Sequence, residues 1–158
     1  MPAASFLKYW APGLLALGAL LSNCEFASRG PTSPRALPHG AQDVRQQLQG
    51  TWLREHATKG VQVRRLLTLE PGGSFRETVR LMDPARAPTE HIHEGTWLYD
   101  GTNLKRKYTL MDGKPPSRLN LPFATFEVLF EGRNEFLGVD HIHGHKVRYR
   151  RVAPDTEL

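Results

Sequence analysis

Apolar and polar residues alternate along the chain from residue 50 almost to its end, which is the pattern of strands with one buried face. In residues 61–70, for example, Val61, Val63, Leu67 and Leu69 share one face. The alternation and the turn residues predict eight strands, at about residues 50–56, 61–70, 74–82, 90–99, 102–111, 124–131, 135–141 and 145–152. Residues 41–49 differ, because their pattern predicts one or two turns of helix.

Short turns join most of these strands. Asp100-Gly101 is typical of a tight hairpin, and Pro71-Gly72-Gly73 and Gly132-Arg133-Asn134 also reverse the chain. Strands joined in this way form an antiparallel meander, and closure removes its edges where little helix is present to cover them. The sequence therefore predicts an all-β fold, an eight-stranded antiparallel up-and-down barrel with a short N-terminal helix. The interior of such a barrel is filled by side chains or holds one small ligand.

The N-terminal residues predict export. Residues 11–21 are apolar and follow a single charge, Lys8. The run is shorter than the roughly 20 residues that a membrane-spanning helix needs, and it has the length of a secretory signal core. The only cysteine follows, and Leu21-Ser22-Asn23-Cys24 resembles the bacterial lipobox, in which the cysteine is lipidated, although Gly, Ala or Ser usually stands where this chain has Asn23. Ordinary signal cleavage nearby and an uncleaved anchor are the alternatives.

Three segments are predicted. They are a signal peptide at 1–23, a lipidated cysteine with a flexible tether rich in Pro, Gly and Ser at 24–40, and a barrel domain at 41–158. This organisation predicts a location in the bacterial cell envelope, with the lipid holding the protein to a membrane on its periplasmic side. Removal of residues 1–23 leaves 20 basic and 16 acidic residues, a formal charge of +4. That charge is spread along the strands, so no nucleic-acid partner is predicted.

The tripeptide Gly-Thr-Trp occurs twice, at 50–52 and 95–97. A glycine before a buried tryptophan permits close backbone approach, so we expect Trp52 and Trp97 to fill the closed end of the barrel.

Four segments together resemble the lipocalin-like domains of bacterial lipoproteins, over about residues 45–152. They are Leu48-Gln-Gly-Thr-Trp-Leu53, Leu69-Glu-Pro-Gly-Gly-Ser-Phe75, Glu94-Gly-Thr-Trp-Leu98 and Tyr149-Arg150-Arg151. The resemblance implies a small antiparallel barrel in which an arginine of the last strand packs over a Gly-x-Trp tryptophan. Arg151 is the candidate, since it alternates in phase with Val147 and Tyr149. The resemblance implies no particular ligand.

Histidines are the strongest chemical signal. An up-and-down order places six of the seven at the end of the barrel opposite the Gly-Thr-Trp segments: His56, His91, His93, His141, His143 and His145. Alternation points His56, His91, His93 and His145 inward with the tryptophans. Imidazole is a common metal ligand, so the sequence predicts a site for Zn²⁺ or Cu²⁺, with Ni²⁺ also suited. A rim for an organic or anionic ligand, and no specific role, are the alternatives.

Charged residues also fall on the inward phase of the strands: Arg54, Arg65, Glu77 and Arg106. Buried charges must be paired or solvated. The interior therefore holds ion pairs, such as Glu77 with Arg65, or a polar ligand such as a carboxylate or phosphate, unless these groups reach water at the strand ends.

The sequence thus predicts a cell-envelope lipoprotein whose barrel binds a small ligand or a transition-metal ion at a histidine-rich open end. One alternative is a structural or interaction lipoprotein with a packed barrel and no ligand. Another is a metal-dependent hydrolase, since a metal held by histidines supports hydrolysis. No general base stands beside the histidines in the sequence, and no nucleophile arrangement or phosphate loop stands out, so catalysis is not the favoured function.

Overall fold

The structure is a computed structural model that describes residues 39–117 and 122–158. Its elements are α1 (His39–Leu48), β1 (Gly50–Thr58), β2 (Val61–Leu69), β3 (Ser74–Met82), β4 (Thr89–Tyr99), β5 (Asn103–Met111), β6 (Phe123–Phe130), β7 (Glu135–Asp140) and β8 (His145–Val152). Within these ranges no helix has the length and apolar character needed to cross a bilayer. The predicted signal peptide, the lipidation of Cys24 and the tether up to residue 38 lie outside the described residues.

The eight strands form one closed antiparallel barrel in chain order. Each strand pairs with the next, and β8 closes on β1 through pairs such as Trp52 with Arg151. The prediction of an all-β up-and-down barrel preceded by a short helix is confirmed, and the ends of the elements differ from the predicted ones by at most two residues. β1 continues to Thr58 because Lys59 (φ 50°) and Gly60 (φ 82°) form a two-residue turn with both φ angles positive, the geometry that fits a twisted hairpin.

One end of the barrel is closed by α1 and by the larger aromatic side chains. Leu48 and Trp52 are fully buried, and the indole Nε1 of Trp52 donates a hydrogen bond to the carbonyl oxygen of Leu48 at 2.7 Å. The indole of Trp97 donates to the carbonyl oxygen of Glu70 at 2.9 Å. Both tryptophans therefore bury their rings while their only polar atom keeps a partner.

Arg151 lies over Trp52, as the resemblance implies. Its guanidinium carbon is 4.2 Å from the centroid of the Trp52 ring, and its Nη atoms donate to the carbonyl oxygens of Gln49 and Gln47. These carbonyls belong to the last turn of α1 and the residue after it, so Arg151 ties the helix to the barrel.

Gly95 permits the close approach of β4 to β5. A Cβ atom there would lie 2.0 Å from the carbonyl oxygen of Lys107, which no side chain can tolerate. The register between these strands shifts at this point, because Gly95 pairs with Tyr108 whereas Glu94 pairs with Leu110. β5 therefore carries a bulge, and above it Met111 lies opposite His93.

Candidate functional site

A fully buried carboxylate, Glu77 on β3, lies at the centre of the polar interior. Its Oε1 accepts a hydrogen bond from Arg106 Nη1 at 3.0 Å, and its Oε2 accepts one from Arg65 Nη1 at 3.4 Å. The Nδ1 atom of His93 lies 3.3 Å from the same Oε2. Side chains from β2, β4 and β5 thus converge on one acid, and they include the predicted pair of Glu77 with Arg65.

The Glu77–Arg106 pair stays ionised. Burial alone would raise the pKa of Glu77, but the charge of Arg106, the hydrogen bond with His93 and the charge of Arg65 hold that pKa well below its usual range. Burial alone would lower the pKa of Arg106, but the charge of Glu77 raises it above its usual value. The pair is therefore a buried ion pair with no net charge.

Aromatic rings surround the Arg106 guanidinium. Its carbon is 5.5 Å from the ring centroid of Phe75, 5.6 Å from that of Tyr108 and 5.8 Å from that of Phe126. Burial, with the charge of Glu77 adding to it and that of Arg106 opposing it, raises the pKa of Tyr108 to about 12. Tyr108 was not selected from the sequence, although it stands two residues from Arg106 on the same face of β5.

Two arginines face each other on the inner wall above this cluster. Arg54 on β1 and Arg65 on β2 are direct cross-strand neighbours, and both side chains are partly buried. Arg65 shares Glu77 with Arg106, whereas Arg54 has no ion pair or hydrogen bond with any described residue. Two of the three inward arginines thus share one glutamate, and the third, Arg54, adds positive charge on the side of the open end.

His56 belongs to the same wall, two residues beyond Arg54 on β1. Its Nδ1 atom is buried and has no hydrogen-bond partner among the described residues. Burial, then the charges of Arg54 and Arg65, lower the pKa of His56, so the ring is neutral at pH 7. We use the name arginine cup for the partly exposed inward side chains of Arg54, His56, Arg65 and His93.

Further buried polar atoms of the barrel have no partner in the described parts of the chain. They are the Nε atoms of Arg65 and Arg106 and the hydroxyl oxygen of Tyr149. Tyr149 is only 2% exposed and Arg106 only 4% exposed. Buried donors of this kind are rare in folded proteins and are typical of positions that bind a ligand, an ion or water.

The remaining candidate histidines lie around the same end of the barrel. Three of them contact a carboxylate, and the fourth stacks on another histidine. His91 Nδ1 is 2.8 Å from Asp112, His141 Nε2 is 2.5 Å from Glu127, and His143 Nδ1 is 2.7 Å from Asp140. His145 stacks on His143 with ring centroids 6.0 Å apart. Asp112 and Glu127 were not selected from the sequence, because each is distant along the chain from the histidine that it contacts.

The histidines are therefore gathered at one end but do not meet at one point. In residues 39–117 and 122–158 no group of three or more His, Cys, Asp or Glu side chains is arranged to hold a metal ion. Coordination of one metal ion by several of these histidines would require their rings to come closer together. The Zn²⁺ or Cu²⁺ site stays a prediction.

These features define a closed eight-stranded antiparallel barrel with a cationic cup at its open end. In comparisons with known proteins, no family model matches the chain and no curated protein matches it. The resemblance to lipocalin-like lipoprotein domains stays a prediction.

Proposed function

We propose that this protein binds a small anion, carrying a carboxylate or phosphate group, in the arginine cup at the open end of its barrel. The observation that carries the proposal is the cross-strand pair of Arg54 and Arg65 on the inner wall. The acid that Arg65 contacts, Glu77, also binds Arg106. Like charges directly opposite each other on a sheet are destabilising, so an anion between them would relieve a cost that the fold carries without it.

The chemistry of the cup suits such a ligand. Guanidinium groups present several N–H donors in a plane and bind carboxylate or phosphate oxygens in pairs. The side chain of Arg65 is 30% exposed and that of His93 is 15% exposed, so a ligand that enters from the open end reaches both. The neutral ring of His56 can donate or accept a further hydrogen bond.

The proposal includes the cellular context predicted from the sequence. The apolar run at residues 11–21 and the lipobox-like segment ending in Cys24 support an exported lipoprotein, and residues 25–40 would serve as its tether. The barrel would then bind its ligand at the periplasmic side of a bacterial membrane.

Isothermal titration calorimetry tests the ligand. Acetate, benzoate and phosphate would be titrated into the purified protein at constant ionic strength, with uncharged benzamide as the control for the benzoate ring. We expect saturable binding of at least one anion and none of benzamide. Equal heats for benzoate and benzamide, together with no binding of phosphate, would contradict the proposal.

Neighbouring arginines on β2 provide matched variants. Arg65→Gln removes a charge from the cup, whereas Arg64→Gln removes a charge from the outer face, where Arg64 pairs with Glu55 at 2.8 Å. A lost charge-assisted hydrogen bond costs about 1.5–3 kcal/mol, so Arg65→Gln should weaken anion binding by at least about tenfold. Arg64→Gln should leave the dissociation constant within about twofold of the wild-type value, because an exposed ion pair contributes little energy. Equal effects of the two variants would point to general surface charge.

Metal binding is a second candidate. The observation in its favour is that His91 and His143 each place Nδ1 against an aspartate, the arrangement that orients a metal-binding imidazole. Zn²⁺ and Cu²⁺ titrations of the wild type and of a His91→Ala/His93→Ala variant test it. Equal, weak binding by both proteins would remove this candidate and with it the metal-dependent hydrolase.

A further inference from the structure

A recess of about 580 Å³ lies on the outer surface of the barrel, across β4, β5 and β6. Among the described residues, its outward-facing lining includes Thr96, Leu98, Lys105, Lys107, Phe123 and Thr125, and the inward-facing Trp97 and Arg106 lie between them. The volume is within the range of sites that hold small molecules. Because neighbouring residues of a strand point to opposite faces, this recess is separate from the arginine cup, and on β5 Lys105 and Lys107 flank the inward Arg106.

Large apolar side chains are exposed in the recess. Phe123 is 59% exposed and Leu98 is 51% exposed, although both occupy outward strand positions where a water-facing sheet usually carries polar residues. Leu129, which is 46% exposed, lies on the same face of β6 but does not line the recess. Exposed apolar groups that gather in a concave site with polar neighbours are typical of binding surfaces.

The charged side chains among the described lining residues of the recess are all basic. Lys105 Nζ pairs with Asp100 at 2.6 Å, whereas Lys107 has no ion pair or hydrogen bond with any described residue. No acidic side chain is among the described lining residues. The recess therefore offers an apolar wall beside an uncompensated ammonium group, which complements a molecule with an apolar tail and a negative head.

We propose that this recess binds a free single-chain amphiphile with an acidic head group, such as a fatty acid, with the tail against Leu98 and Phe123 and the head at Lys107. The concave shape favours a single molecule, because a bilayer surface contacts side chains that protrude. The proposal is independent of the anion site in the cup.

A fluorescent fatty acid, 11-(dansylamino)undecanoic acid, is a suitable probe below its critical micelle concentration. Its emission should rise and saturate with added protein, dodecanoate should displace it, and dodecyltrimethylammonium should not. A Leu98→Ser/Phe123→Ser variant should bind the probe at least about tenfold more weakly, whereas Leu129→Ser should bind it within about twofold of the wild type. Lys107→Gln should weaken binding by about threefold, and Lys146→Gln, an exposed lysine on the outer face of β8, should not change it.

Several outcomes would overturn the proposal. They are the absence of saturable binding, equal displacement by the cationic amphiphile, and equal loss in Leu129→Ser and the double variant. Loss of probe binding in Arg65→Gln but not in the double variant would assign the probe to the arginine cup. Binding to phosphatidylglycerol vesicles without binding of the free probe would make the recess a membrane-contact surface. Circular dichroism of each variant would check that the barrel is intact.

Discussion

Replacement of Arg54 with glutamine should make the anion-free protein more stable. Arg54 and Arg65 are direct cross-strand neighbours on the inner wall, and Arg54 has no hydrogen bond or ion pair with a described residue. Glutamine keeps much of the length and the hydrogen-bonding capacity of the side chain but removes its charge. The variant therefore isolates the repulsion between the two guanidinium groups.

The magnitude follows from charge and exposure. Two unit charges roughly 5–10 Å apart, as side chains of directly opposite strand residues can be, repel by about 2–3 kcal/mol at an effective dielectric constant of about 20. Glu77 offsets part of the charge of Arg65, and water reaches the partly exposed side chains, which reduces the repulsion to about 0.5–1 kcal/mol. For a domain of this size, that gain corresponds to a rise in Tm of about 2–5 °C.

Thermal unfolding followed by circular dichroism, with and without a bound anion, measures the effect. At a concentration about 100-fold above its Kd, an anion stabilises the wild type by about 2.7 kcal/mol, and the gain should be much smaller for Arg54→Gln. The difference in Tm between Arg54→Gln and the wild type should therefore become smaller, or change sign, when the anion is present.

Arg64→Gln is the control, because Arg64 lies on the outer face and pairs with Glu55. Its loss should lower stability by at most about 1 kcal/mol, with the gain from the anion unchanged. A lower Tm for anion-free Arg54→Gln would refute the reasoning, because it would mean that the charge of Arg54 already stabilises the fold without a ligand.

Three other variants test the buried interactions. Glu77→Gln should destabilise the protein by about 3–5 kcal/mol in urea unfolding at pH 7, because it leaves buried guanidinium charge uncompensated. Folding lowers the pKa of Glu77, so its carboxylate contributes fully to the free energy of unfolding above the unfolded pKa of about 4.3. That contribution is lost as the pH falls below this value. The free energy of unfolding of Glu77→Gln should therefore decline less steeply in acid than that of the wild type. Ultraviolet titration should lose an ionisation near pH 12 in Tyr108→Phe, and an unchanged curve would contradict the burial of that hydroxyl. Arg151→Ala should cost about 2 kcal/mol through its contacts with Trp52 and α1, against at most about 1 kcal/mol for the exposed Arg150→Ala, and equal losses would argue against the stacked contact.

The fold could be predicted from the sequence because its determinants are local. Alternation with a period of two identifies each strand, and pairs such as Asp100-Gly101 identify hairpins without knowledge of the partner strand. The contact of Arg151 with Trp52 could be expected from the resemblance, and the pairing of β8 with β1 places the two residues opposite each other.

The partners of the rim histidines could not be predicted in the same way. Glu127 contacts His141 because β6 is staggered between β5 and β7, so that Glu127 pairs with Asn103 on one side and with Val139 on the other. Such a stagger is a property of the closed barrel and leaves no mark on the alternation of any single strand. The bulge opposite Gly95 is a second example, because simple alternation would place Leu110 on the inner face.

The two ends of the barrel are stabilised by different interactions, and this difference supports a binding role for the open end. At the closed end, Trp52 and Trp97 are buried with their indole donors satisfied, and Arg151 has carbonyl partners. Toward the open end, Arg54 has no ion pair or hydrogen bond with any described residue, and the Nδ1 atom of His56 is buried without a partner among them. A barrel that needed only to be stable would fill both positions with apolar side chains, because a packed interior stabilises at least as well as unpaired charge. Retention of the charges is explained if an anion completes the interior and restores the stability that the empty cup lacks.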